Sequence, residues 1–116
     1  MKYLPALGLI CAGLFAVSTA FSMAPPKVWK IHCVACHGLD GKVTPAGKAV
    51  GARDLSDRSY MESRTQGQLK QSILYGIKDE KGNYTMIPYE RILKEGELDE
   101  LIQYIRSLSK EPESSD

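Results

Sequence analysis

Apolar positions fall into four stretches separated by polar, glycine-rich sequence. Leu4 to Val17 carries no charge at all. Val28, Trp29, Ile31 and Cys33 then continue a helix opened by Pro25-Pro26. Proline is tolerated there because a first-turn N–H has no intrahelical partner to lose. Gly38 and Gly41 end that helix. Leu69, Ile73 and Leu74 recur at helical spacing behind Thr65 and Gln68, a capping-box pair, and Gly76 stops the run. Leu98, Leu101, Ile102, Ile105 and Leu108 form the stripe of a last helix beginning near Glu97. Acidic Glu97, Asp99 and Glu100 sit at its positive end, and Arg106 and Lys110 at its negative end.

The intervals between these stretches are as informative. Gly38 to Tyr60 has no sustained period and holds Gly41, Pro45, Gly47 and Gly51, which reads as a long loop with at most one short turn. Asp79 to Asn83 is a polar turn with Gly82-Asn83 at its tip. No alternating pattern marks a strand. The expected fold is all-α, three to four short helices joined by long loops. Such helices bury little core by themselves, and a loop of that length inside a small domain usually wraps something.

The first stretch stands apart. Lys2 precedes it, it is too short to span a bilayer comfortably, and Ser18-Thr19-Ala20 supplies small residues where a signal peptidase reads. Residues 1–20 are therefore expected to be a secretory signal cut before Phe21, which removes Cys11. Residues 21–108 then form one domain, and 109–116 a frayed tail. The whole chain is 116 residues with a net charge of +1. That balance gives nucleic acid no basic footprint. Phe21 to Tyr89 holds ten Lys/Arg against six Asp/Glu, and Glu90 to Asp116 four against eight. This is a solvated surface or a mildly basic docking face.

Two cysteines remain, in Cys33-Val34-Ala35-Cys36-His37. Thiols at i and i+3 of a helical turn point to one side. Each can add to one vinyl group of a haem, and the adjoining imidazole can reach the iron; this is the attachment signature of c-type haem. A thioredoxin-like pair wants a βαβ context, and a structural zinc site wants ligands less crowded than His32, Cys33, Cys36 and His37.

From Pro26 to Leu108 the chain resembles a small bacterial class I cytochrome c. Trp29, four residues before Cys33, matches the aromatic of that family's first helix. Leu101 and Tyr104 match the leucine and tyrosine of its last helix, which crosses the first. The resemblance implies one covalent haem c, His37 on the proximal side of the iron and a methionine opposite. Met86, in Met86-Ile87-Pro88-Tyr89 before the last helix, resembles the distal loop; Met61 reads as an ordinary core methionine. The family also offers a proline carbonyl to the proximal histidine, and Pro45 stands where that segment is expected. His32 is expected on the surface.

His and Met together close both axial positions, which suits electron transfer rather than catalysis. The expected function is a monomeric, non-enzymatic, periplasmic one-electron carrier. It would dock transiently with larger redox proteins, without membrane insertion once the signal is cut. A haem sensor or gas-binding protein, and a cytochrome subunit of a respiratory or dehydrogenase complex, are the alternatives.

Overall fold

In the computed structural model, residues 3, 5, 8, 10–15 and 23–110 are described. The expected cleavage point before Phe21 and the tail beyond residue 110 lie outside them. Among the described residues six helices occur, in the order α1 (Lys27–His32), α2 (Val34–His37), α3 (Pro45–Ala49), α4 (Arg58–Glu62), α5 (Gln66–Tyr75) and α6 (Glu97–Leu108). No helix among the described residues is long and apolar enough to cross a membrane.

The longest helices form as the pattern predicts. Thr65 caps α5 by accepting from the Gln68 amide, and the Gln68 side chain accepts in return from the Thr65 amide. Helix α6 buries Leu101, Ile102, Tyr104 and Ile105, each such side chain contributing about 1.5–3 kcal/mol of apolar burial. It meets α1 at Trp29, which is 1% exposed. The Trp29 and Tyr104 rings meet edge to face at 5.1 Å, an arrangement that aligns a positive ring edge with a negative face. Polar ends of both side chains are also satisfied. Trp29 Nε1 donates to the Gly38 carbonyl at 3.2 Å, and the Tyr104 hydroxyl to that of Leu39 at 2.6 Å.

Three features depart from the pattern. The first helix breaks at Cys33, so that α1 and α2 are separate turns. The long loop holds two short helices. Thr44 caps α3 and Asp57 caps α4 with their side-chain oxygens, and Pro45 opens α3 at its first turn. Finally, a two-stranded antiparallel hairpin joins α5 to the loop before α6. It consists of β1 (Ile77–Lys78) and β2 (Tyr84–Met86), with Ile77 opposite Met86. Strands of two and three residues are too short to show a period in sequence. The expected polar turn closes this hairpin, with Asp79 Oδ1 accepting from the amides of Lys81 and Asn83, both at 2.9 Å.

Candidate haem site

Cys33 ends α1 and begins α2, with its amide on the Trp29 carbonyl at 2.9 Å and its own carbonyl accepting from His37 N at 2.9 Å. One helical turn therefore carries Cys33, Cys36 and His37 together. Helix α3 braces that turn from outside. Thr44 donates its amide to the Cys36 carbonyl at 3.0 Å and its hydroxyl to the Ala35 carbonyl at 2.6 Å. A side chain on Gly47 would collide with the Cys36 carbonyl, so the two backbones meet closely only because that position is glycine.

All three residues face a cavity of about 620 Å³, within the usual range for cofactor sites of roughly 300–1,000 Å³. Its apolar walls include Val28, Leu55, Leu69, Ile73, Leu101 and Ile105. Ile77 and Leu93 also line it, as expected from the sequence; Leu74 does not. Leu101 and Trp29 both belong to the buried core and both line this space, whereas Tyr104 does not line it.

No disulfide joins Cys33 to Cys36. Burial pushes the Cys33 thiol up to about 11, because desolvation penalises the thiolate. Burial also lowers the His37 pKa, outweighing the Arg53 backbone, whose hydrogen bonding favours the protonated ring. The imidazole is thus neutral near pH 7 and can offer a nitrogen to a metal. Its Nδ1 is buried and has no hydrogen-bond partner. The Arg53 backbone is the one that bears on the ring. Pro45 is not: it is exposed at the start of α3 and absent from the cavity wall. Proline fits that first helical turn because its missing N–H costs nothing there, which leaves the residue facing outward.

Met86 ends β2, is half-buried and lines the cavity. Met61 is 1% exposed, packed in the core and not part of the wall. Several backbone contacts hold the Met86 loop on the end of α5. Tyr89 N donates to the Ile73 carbonyl at 2.9 Å and Glu90 N to that of Leu74 at 3.2 Å. Gly76, with φ 74° and ψ −177°, turns the chain; a Cβ there would lie 2.5 Å from the Met86 carbonyl oxygen. The Tyr89 hydroxyl reaches across to the His32 carbonyl at 3.2 Å, and the two rings pack at 5.6 Å. His32 is exposed, at the cavity rim beside Tyr89. Arg53, Tyr60 and Arg64 also line the wall. The sequence held no signal for them, since neither motif nor period distinguishes an arginine that borders a cavity.

The residues present fit a haem. Two thiols and a neutral imidazole share one turn, the adjoining cavity is apolar, and a thioether borders the same space. Comparison with known proteins agrees. The family model for cytochrome c matches residues 23–109. The FixP subunit of a cbb3-type cytochrome c oxidase from Azorhizobium caulinodans is 32% identical over 81 residues, covering 67% of this chain and 26% of that protein. The FixP subunit from Bradyrhizobium sp. (strain ORS 278) is 31% identical over 86 residues, 70% of this chain and 28% of that one. The chain thus spans about a quarter of the length of these curated relatives. Among solved structures, the KustC0563 c-type cytochrome superposes with a TM-score of 0.64 at 26% identity, over 76% of this chain and 100% of that one. The family match takes in every helix and both strands, and the chain accordingly belongs to the cytochrome c family, as a small electron-carrying class I c-type cytochrome with one covalently bound haem c.

Proposed function

We propose that this protein is an exported, periplasmic, monomeric one-electron carrier that docks transiently with larger redox proteins and catalyses no reaction itself. Cys33 and Cys36 would hold the haem through thioethers, with His37 and Met86 as the axial ligands. The bound haem supplies an iron that cycles between ferric and ferrous states. The chain's own residues do the rest. The apolar wall excludes water, the α2 turn orients His37, and the Gly76 turn and the Tyr89 contacts restrict the swing of the Met86 loop. The carrying observation is that Met86 borders the same cavity as the attachment turn, whereas Met61 is buried in the core away from it. A neutral thioether favours ferrous iron and occupies the position that a gas would need.

Met86→Ala tests this. The variant should keep its haem, lose the absorption band of methionine–iron ligation and bind carbon monoxide. Its reduction potential should fall by on the order of 0.1 V, a fraction of the ~0.8 V that axial ligation spans. An unchanged potential without gas binding would remove Met86 from the iron. Export is supported by the uncharged stretch from Leu4 to Val17, and cell fractionation with mass measurement of the mature terminus tests it.

The relatives support a second reading, since both are subunits of a cbb3-type oxidase. This chain would then serve as a haem module within a terminal oxidase. Native electrophoresis of gently solubilised membranes separates the two readings: a free carrier runs alone, and a subunit comigrates with oxidase activity.

A further inference from the structure

One part of the cavity wall is cationic and has no counter-charge. Arg53 comes from the segment after α3, and Tyr60 and Arg64 come from α4 and the residues just beyond it. Both guanidinium groups stack on the Tyr60 ring, with Cζ 5.4 Å from the centroid for Arg53 and 5.2 Å for Arg64. All three residues line the cavity, and among the described residues no carboxylate does. Among the described residues neither arginine forms an ion pair. Arg64 Nε is buried and has no hydrogen-bond partner.

This arrangement is unfavourable as it stands. A buried guanidinium N–H left without an acceptor loses its hydration and gains nothing in exchange. Two cations sharing one aromatic ring also repel each other. The position of Arg64 is nonetheless fixed, because its carbonyl accepts from Arg106 Nη2 on α6 while Arg106 Nη1 donates to the Met61 carbonyl at 2.6 Å. A strongly held backbone, an unsatisfied buried donor and a second cation beside it make a socket shaped for an anion.

The haem brings such an anion. Its propionates leave the ring on the edge opposite the vinyl groups that would join Cys33 and Cys36. Carboxylate oxygens match the planar guanidinium fork, which binds them through paired charge-assisted hydrogen bonds. We propose that Arg64 and Arg53, stacked on Tyr60, form the socket for a haem propionate, with Arg64 as the buried donor and Arg53 as the solvent-facing one. The inference rests on the haem lying in this cavity. Neutralising the carboxylate removes a negative charge that would otherwise favour ferric iron. The socket therefore raises the reduction potential.

Potentiometric titration of purified holoprotein at pH 7 tests the assignment, with covalent haem verified by mass on each sample. Arg64→Gln should shift the potential downward, and Arg64→Lys, which keeps the charge, should retain most of the wild-type value. Arg53→Gln should shift it downward by less, because solvent screens that side chain. Arg64→Gln at the wild-type potential overturns the socket. So does Arg64→Lys falling as far as Arg64→Gln, since lost packing on Tyr60 would then explain the shift. If Arg64→Gln yields no holoprotein, Arg53→Gln decides: a lowered potential supports the socket and a wild-type potential overturns it. Absence of covalent haem from the wild-type protein would instead defeat the underlying placement.

Discussion

The two sides of the cavity are built by opposite means. The attachment side is local: Cys33, Cys36 and His37 lie within one helical turn, and neighbouring α3 braces it through Thr44 and Gly47. The Met86 side is assembled at a distance. Its loop reaches the cavity because Tyr89 and Glu90 bond to carbonyls near the end of α5, Gly76 lets the chain turn out of α5 close beneath Met86, and Tyr89 touches α1. Covalent chemistry thus has a short, self-sufficient platform, while the second axial candidate depends on the folded chain. Damage to the first side should remove the cofactor, and damage to the second should leave it attached but alter its properties.

The strongest way to break that contrast is to replace the thiols. Cys33→Ala or Cys36→Ala should abolish stable holoprotein, read by mass as loss of the haem adduct. Stable, fully haem-loaded protein from either variant would contradict the assignment of that cysteine. Trp29→Ala comes next, because Trp29 joins the attachment side to α6. Truncating so buried an aromatic costs about 3–5 kcal/mol, measurable by denaturant unfolding of the holoprotein.

Gly76→Ala sharpens the comparison by acting on one side alone. Its backbone conformation is nearly restricted to glycine, so strain of about 1–3 kcal/mol is expected, besides the clash with the Met86 carbonyl. Haem mass should be unchanged while the methionine–iron band weakens. The smallest effect lies on the attachment side, at Asp54, one residue beyond Arg53. Hydrogen bonding from the Ser56 hydroxyl, outweighing burial, lowers its pKa below the ordinary 3.8. Its stabilising contribution is therefore full above that value and disappears as pH falls through the lower folded value. Asp54→Asn should lower the denaturation midpoint slightly at pH 6, with the difference vanishing in an acid titration series as the pH falls through the lowered folded value.

The same contrast explains what could be read in the sequence. Cys33, Cys36 and His37 were legible because their chemistry needs a fixed local spacing. Thr65, Gln68, Gly76 and the α6 stripe were legible because caps, stops and periods are local as well. Helix α3 was missed although Thr44-Pro45 is a sound helix start, since glycines around it read as loop. The hairpin was too short to carry a period. The resemblance puts Pro45 beside His37, whereas it is the Arg53 backbone that bears on the imidazole, and a backbone group leaves no signature in the side-chain alphabet. Arg64 joins the wall through its contacts with Tyr60 and α6, which no neighbouring residue announces.

The hydrogen bond from Tyr104 to the Leu39 carbonyl spans 65 positions. To a chain that is still folding, it is a ring to be closed, with an entropy cost that grows as about (3/2)RT ln n. The attachment turn needs no such closure, since its hydrogen bonds lie within a few residues of each other. Haem joined early to Cys33 and Cys36 would give the later segments a nearby apolar surface to settle on, dividing one wide ring into smaller ones. The crossing of α1 and α6 would then be the final latch of folding rather than its nucleus.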